Sequence, residues 1–596
     1  MIREYFRVLV VDLARGRGRI EEIDGRDRVA GGSGLAALLF GKYGSTDLPW
    51  DDPGQPLIFT IGPLTGYFPL MSKTVCAFRS PYLDQYTESH AGGRSALALR
   101  FADLDGLVVT GRAPALSCLV VGSRTLAVED VHFMAAMDVL ESGKLLRSMF
   151  GGSGHRSILR IGPAGEQGVA MAGINADTYR HFGRLGGGAA MGVKNLKAIV
   201  ILGDAVFKLP PGREYAVLFS RVYDLATSSG MMTKYHNLGT AANLGTLNGI
   251  RALPWRNLQA TSDPAISGVS GERFAGEALL RNSACSGCPV GCIHVGFVRE
   301  QFMAAHRYLF KQVAYDYEPI FALGTMLGIT ETFAVLDILD VVERMGLDAM
   351  SAGVALAWAT EATEKGIIGE DETIVSLRFG DRDGYCRAMR ALAGAENGFY
   401  RLLGQGTLKA AEAYGGSEFA CVLGQEMAGY ATGEVFFTSQ AEGFRHSHLD
   451  SGGYSYDQQH AERDVEAAVE FLVRDEADRC LLTSMVSCLF ARAIYKRELL
   501  AECLQGLGYA DLAAALDRVG PRVQRLRWQL RIRTGFRPGT VAIPRRFFRL
   551  ENWKGAIEPA YLEELKIAYG RAIRELAAEQ ATQPDSGMTS SPDSED

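Results

Sequence analysis

The chain has 596 residues, 47% hydrophobic and 22% charged, so it carries enough apolar mass for a sizeable core and is no disordered polypeptide. Its 62 basic and 69 acidic residues leave a formal charge of −7 without a lysine- or arginine-rich stripe, which excludes an electrostatic footprint for nucleic acid. No apolar run reaches the 18 residues or so that a membrane span needs, and the opening residues lack a secretory signal's apolar core; a soluble cytoplasmic protein of two to four domains is expected.

In chain order, the first 205 residues or so read as strand-rich. Arg7–Leu13 and Arg19–Ile23 flank Arg15-Gly16-Arg17-Gly18 and predict a hairpin, while Gly106–Gly111 and Lys197–Gly203 predict short buried strands. Glycine is abundant, 69 residues or about 12% against a usual ~7%, and clusters at 31–32, 92–93, 151–152 and 186–188. Such glycines mark tight turns or backbone brought close to a ligand. From about residue 210 onward helices are expected: Phe333–Met345, Met350–Lys365, a long stretch from Ala461 to Leu504, and Tyr561–Ala578. The Ser-, Asp- and Pro-rich tail from Gln580 to Asp596 is expected to be disordered.

Five motifs carry chemistry. Ten cysteines are too sparse for a disulfide scaffold, but Cys285-Ser286-Gly287-Cys288-Pro289-Val290-Gly291-Cys292 is a C-x2-C-x3-C array of soft thiolate ligands. A four-iron cubane needs a fourth thiolate, for which Cys488, Cys480, Cys421 and Cys386 are candidates; a structural zinc loop is the alternative. Arg180-His181-Phe182-Gly183-Arg184 followed by Gly186–Gly188 offers close backbone approach and fork-shaped cations for phosphate, or else a plain turn, and it lacks the acidic partner of a dinucleotide fingerprint. Gly92-Gly93-Arg94 and Gly62-Pro63-Leu64-Thr65-Gly66 read as tight turns. Arg445-His446-Ser447-His448-Leu449-Asp450 places two histidines where they shuttle protons, ligate metal or sit in a solvated loop. In Tyr315-Asp316-Tyr317-Glu318-Pro319, carboxyls beside aromatics are either an acid–base pair with raised pKa or helix-start carboxylates.

Together with Ala30–Ala36, Ile61–Gly66, Gly162–Glu166, Met191–Ile199, Leu253–Asn257 and Met345–Gly353, these pieces resemble, in order, the tungsten-containing aldehyde:ferredoxin oxidoreductase family from about residue 5 to about residue 575. The resemblance implies an α+β multidomain fold: a β-rich pterin-binding base over 1–207, a helical domain over 208–420 holding the cysteine motif, and a helical domain over 421–578, the latter two enclosing a bis-pterin cofactor. It implies tungsten held by two dithiolenes, one [4Fe-4S] cluster, and magnesium joining the pterin phosphates. Cys285, Cys288 and Cys292 match the first three cluster ligands, and Cys488, followed by Leu489-Phe490, is preferred as the fourth. Asp348 matches a pterin contact. Thr483 and Val486 stand where the family has a second aspartate and a glycine, which puts the second pterin's contact in doubt.

By the same resemblance, Gly92, Gly93, Arg94, Arg180, His181, Gly183 and Arg184 line the pterin phosphates. His90 replaces an asparagine whose backbone carbonyl serves magnesium, and Lys73 replaces an arginine between cluster and pterin. Glu318, His448 and its neighbour His446 are the catalytic candidates. No Glu-x-x-His pair for a dimer-bridging iron is found. The implied reaction oxidises an aldehyde to a carboxylic acid. Tungsten is the Lewis acid, Glu318 the general base and His448 the oxyanion donor, and electrons pass through the cluster to ferredoxin or a similar carrier. A low-potential reductase acting on an aromatic acid or thioester, and an electron-transfer subunit with no catalytic metal, are the alternatives. A homo-oligomer or an iron–sulfur partner subunit completes the expected associations.

Overall fold

The computed structural model describes residues 3–152, 155–303 and 307–579; the tail expected to be disordered, 580–596, lies outside them. Two six-stranded sheets make up the N-terminal region. The first comprises β1 (Phe6–Asp12), β2 (Arg17–Ile23), β3 (Leu57–Thr60), β4 (Thr74–Arg79), β5 (Tyr86–Ala91) and β6 (Gly106–Thr110), in the order β2-β1-β6-β3-β4-β5. The second comprises β7 (Ser117–Val121), β8 (Leu126–Asp130), β9 (Ser157–Arg160), β10 (Ile174–Ala176), β11 (Arg180–Phe182) and β12 (Leu196–Ile201), in the order β11-β10-β9-β12-β7-β8. The hairpin β1–β2 is as expected, although the chain turns over residues 13–16 and Arg17 and Gly18 are already paired strand.

Period-two alternation divides the first sheet's apolar residues between two cores. Leu9, Val11, Phe59, Leu107 and Val109 face Leu119, Leu159, Ile199 and Ile201 of the second sheet. Phe6, Val8, Val10, Ile58 and Tyr86 face helices instead: α1 (Gly32–Tyr43) and, from the far end of the chain, residues of the helices Val465–Ser484 and Ala510–Arg533. The C-terminal helices are therefore built onto the N-terminal sheet, across more than 400 residues of sequence.

Beyond residue 207 the chain is mainly helical, with α2 (Arg213–Ser228), α3 (Tyr317–Leu323), α4 (Thr332–Met345), α5 (Ala349–Glu364), α6 (Glu434–Ala441), α7 (Val465–Ser484), α8 (Arg497–Gly506), α9 (Ala510–Arg533) and α10 (Pro559–Ala578) among its elements. One three-stranded sheet interrupts them: β13 (Leu279–Ser283), β14 (Ile293–Met303) and β15 (Arg307–Tyr315). The helices expected at 333–345, 350–365 and 561–578 are α4, α5 and α10. The single helix expected over 461–504 is corrected: α7 stops at Ser484, a short 3-10 turn occupies Leu489–Ala491, and α8 begins at Arg497. Another part of the chain claims the backbone at the break, since the N–H of Lys73 donates to the carbonyl of Val486 and that of Cys488 to the carbonyl of Leu70. Among the described residues no single helix is long and apolar enough to cross a membrane.

Candidate active site

The cysteine array occupies the loop that joins β13 to β14. Its backbone is clamped by the segment 70–93: the N–H of Leu70 donates to Gly287 and that of Ser286 to Gly93. Because Leu70 also accepts from Cys488, one short segment holds the array and the fourth cysteine on either side of itself. The four thiols lie within one another's fields. Burial and the neighbouring Cys488 and Cys285 push the Cys288 thiol up to about 12, and burial, against the opposing charge of Arg180, pushes Cys292 up to about 11. Metal-free, these thiols hold their protons, and ligation releases them. Arg180 stands beside Cys285 and Cys292, whose thiolate forms favour its charge against burial.

Gly92 is where the two halves meet. A Cβ on it would stand 2.6 Å from the Cys285 sulfur and 3.5 Å from the Lys73 ammonium, so only glycine admits this approach. Lys73 is thus beside the thiols, as the resemblance implied. Cys480, Cys421 and Cys386, the other candidates for fourth ligand, lie elsewhere; Cys480 accepts a bond from Arg527 at 2.9 Å in the C-terminal core. Among the described residues no three His, Cys, Asp or Glu side chains are grouped closely enough to hold a metal ion.

On the other side of Gly92–Gly93 lie the phosphate-segment residues. The Arg184 guanidinium reaches Asp348 at 3.3 Å and donates to the Glu426 carbonyl at 2.6 Å. Asp348 caps α5 by accepting from the N–H groups of Met350 and Ser351, each at 3.2 Å. His181 pairs with Glu343 at 2.8 Å, and Gly183 follows it with no side chain closer than 3.9 Å to a built Cβ. Arg180 Nε, Arg184 Nη1, Gln425 Oε1 and His448 Nδ1 are buried and have no hydrogen-bond partner. Buried polar atoms left open are costly unless a ligand meets them. The open donors Arg180 Nε and Arg184 Nη1, the open acceptor Gln425 Oε1 and the unfilled backbone at Gly183 fit a hydrogen-bonding cofactor that carries anionic groups.

The Arg94 side chain does not join these residues, and Thr483 and Val486 offer no carboxylate, in line with the doubt the sequence raises about a second pterin. Arg94 donates from its backbone N–H to Asp177 at 3.1 Å, but its side chain is exposed, since the residue opens the helix at Ser95 and points outward. Thr483 bonds the carbonyl of Cys480 in its own helix at 3.3 Å, and Val486 sits at φ 55°. A left-handed backbone is unusual for a β-branched residue and matches the glycine that Val486 replaces. The Val486 side chain packs on Gly32 and Gly62. No carboxylate stands there for a second pterin.

Glu318 lies in the first turn of α3, and its Oε1 accepts from Tyr430 at 3.2 Å and pairs with His448 at 3.1 Å. Burial pushes its carboxyl upward, but the bond and charge of His448 prevail and hold it below the usual range. Asp316, two residues earlier, moves the other way, up to about 7, through burial and the Glu318 charge against Arg180. Two carboxyls with pKa values pushed apart mark acid–base chemistry. Tyr430 is the hub of the surrounding rings, with centroids 4.9 Å from Tyr317, 5.1 Å from His448, 5.0 Å from Tyr454 and 5.7 Å from Phe436.

His446 does not join this site. It takes φ 50° in a turn, its Nδ1 bonds the Gln440 carbonyl at 3.1 Å, and its Nε2 accepts from Arg531 at 2.6 Å. Burial and the Arg531 charge push it down to about 3, so it is a neutral support for a buried arginine. His90 is likewise held: its Nε2 donates to Glu88 at 3.1 Å and its Nδ1 accepts from Arg445 at 3.2 Å. Glu88 also takes bonds from Ser33 at 2.7 Å, Tyr86 at 3.0 Å and Arg527 at 3.0 Å. Sequence reasoning missed this buried network, and also Tyr430, because no short spacing signals either.

Two family models cover the chain, the aldehyde ferredoxin oxidoreductase N-terminal domain over residues 8–203 and domains 2 and 3 over residues 219–574. The tungsten-containing aldehyde ferredoxin oxidoreductase of Pyrococcus furiosus is 30% identical over 432 residues, 71% of this chain and 69% of the relative. An aliphatic sulfonate oxidoreductase WOR-like subunit of the same organism is 28% identical over 424 residues, 68% of this chain and 66% of the relative. The active-site complex BamBC of benzoyl coenzyme A reductase, solved with 1,5-dienoyl-CoA, shares the fold at a TM-score of 0.78 and 18% identity, over 96% of this chain and 95% of that one. With both models matched in order along it, the chain belongs to the aldehyde ferredoxin oxidoreductase family, and it is an oxidoreductase.

Proposed function

We propose that this tungsten-pterin oxidoreductase oxidises an aldehyde to a carboxylic acid and passes the two electrons, one at a time, through a [4Fe-4S] cluster to ferredoxin or a similar small carrier. The observation that carries the reading is the setting of the cysteine loop, with Cys285 against Gly92 beside Lys73 and with Arg180 and Cys488 in the field of Cys292, together with the buried Glu318–His448 pair. Cys285, Cys288, Cys292 and Cys488 would hold the cluster. Arg180, His181, Arg184, Asp348 and the backbone of 90–93 would hold the pterins and the magnesium between their phosphates. The bound tungsten supplies Lewis acidity and a two-electron sink.

Aldehyde and water give acid, two protons and two electrons. The Glu318 carboxylate takes a proton at Oε2 or Oε1 as water attacks, and Tyr430 keeps it oriented. His448 meets Glu318 through Nε2 and would donate from its open Nδ1 to the developing oxyanion.

A second, reductive reading is favoured by Asp316, whose carboxyl keeps its proton near neutrality beside Glu318, and by the rings about Tyr430, which suit an aromatic acyl group. Purified protein is to be assayed in both directions, with oxidised viologen and a series of aldehydes, and with reduced viologen and aromatic acids or thioesters. Faster aldehyde oxidation supports the first reading. Turnover confined to the reductive assay replaces it with the second.

A further inference from the structure

The three-stranded sheet is a direct extension of the cysteine loop, since β13 runs into Cys285 and β14 leaves from Cys292. Pairing sets Arg281 opposite Val295, Phe297 opposite Gln312, and Arg299 opposite Phe310, and opposed residues share a face. The inner face packs on α4: Lys311 pairs with Asp337 at 3.0 Å, and Gly296 lies against Leu336. Glu300, the carboxylate nearest in sequence to the outer arginines, is drawn to that inner side by Lys311 at 2.8 Å.

The outer face is therefore basic and aromatic. Arg281 and Arg299 are exposed, and among the described residues neither is paired with a carboxylate; Arg307 is exposed too but stands on the Lys311 side of the strand. Phe310 is 63% exposed and stacks on Phe297 at 5.5 Å, and the Arg299 guanidinium stands 3.6 Å above the Tyr308 ring. Arginine with aromatic rings is the composition that protein interfaces favour. Here it stands out on a chain of net charge −7. At its inner end Arg281 donates to the Tyr179 hydroxyl at 3.3 Å, and Tyr179 precedes Arg180 in the field of the thiols.

We propose that this outer face docks an acidic iron–sulfur carrier protein, so that electrons leave at the edge of the cysteine loop. The assignment rests on the reading that the four thiols bind a cluster. A docking surface for an electron carrier has to adjoin the redox centre, and this strip begins at it. Charge complementarity then selects an acidic partner and speeds encounter.

The test uses the cluster-loaded full chain and an oxidised, acidic two-cluster ferredoxin, with binding measured by isothermal titration calorimetry at low and high ionic strength. Two charge reversals are compared, Arg281→Glu with Arg299→Glu, and Arg299→Glu alone, the second sparing the contacts of Arg281. Both are expected to weaken binding at least about tenfold, and added salt to weaken the unmodified protein's binding, while the cluster's electron paramagnetic resonance spectrum stays unchanged. The proposal is overturned if the unmodified chain does not bind, if both variants bind equally well, or if sedimentation shows a dimer of this chain that both reversals dissociate. Viologen-linked turnover, which needs no protein partner, reports separately on the enzymatic reading.

Discussion

Replacing Glu318 by Gln removes one negative charge and leaves the volume unchanged. The amide oxygen still accepts from Tyr430, now 3.2 Å from Oε1, but cannot take a proton, and His448 loses the carboxylate 3.1 Å away. The fold loses about 1–2 kcal/mol, the worth of a charge-assisted hydrogen bond. Turnover loses much more: deleting a positioned general base costs roughly 10²–10⁴-fold, about 3–5 kcal/mol in the barrier. The assay is viologen-linked aldehyde oxidation at saturating substrate, with tungsten, iron and pterin quantified in the same samples. Equal cofactor content with kcat at least about 100-fold lower is expected. A fully loaded variant within tenfold of the unmodified protein refutes the role given to Glu318.

Three further outcomes follow from the same geometry. Glu88 is held at about 2 because the charge of Arg527 and the bond from His90 outweigh burial, which pushes the other way. Measured against an ordinary value near 4.5, that shift contributes about 3 kcal/mol of stability. A depressed carboxyl stabilises above its unfolded pKa, so the stability difference between the unmodified chain and Glu88→Gln should be constant from neutral pH to about 5 and shrink only as pH falls toward 2; urea titrations across that range check it, and a difference below about 1 kcal/mol at pH 7 contradicts it. Cys488→Ser should lose the iron–sulfur signal whereas Cys480→Ser keeps it; equal loss in both would show that the fourth ligand is misassigned. His446→Phe should lower thermal stability, because buried Arg531 loses an acceptor at 2.6 Å, yet leave the pH profile of turnover unchanged. A shifted profile would return His446 to the catalytic site.

Local signals in the sequence carry much of this architecture. The β1–β2 hairpin follows from two β-branched runs about a glycine turn, and α4 and α5 follow from three- and four-residue apolar spacing closed by Gly346. Three cysteines are legible because one loop carries them. Cys488 is singled out only by the family resemblance, because no local pattern ties it to the loop; its N–H bonds the carbonyl of Leu70, a contact more than 400 residues long in sequence. For the same reason the break after Ser484 is invisible: Met485–Cys488 is apolar enough to continue a helix, and only Lys73 and Leu70 take its backbone bonds away. His446 and His448 are two residues apart and look equivalent, yet the positive φ of His446 turns the first to Arg531 and leaves the second to Glu318. Glu88 and Arg527 meet across 439 residues, beyond the reach of any pattern in one segment.

The most direct test is elemental and pterin analysis of the full chain, purified without oxygen after growth with tungstate. The account predicts one tungsten, two pterins, four iron and four labile sulfide atoms per chain. Iron and sulfide without tungsten or pterin would make the chain an electron-transfer protein, and zinc on the thiols in place of iron would contradict the account at its root.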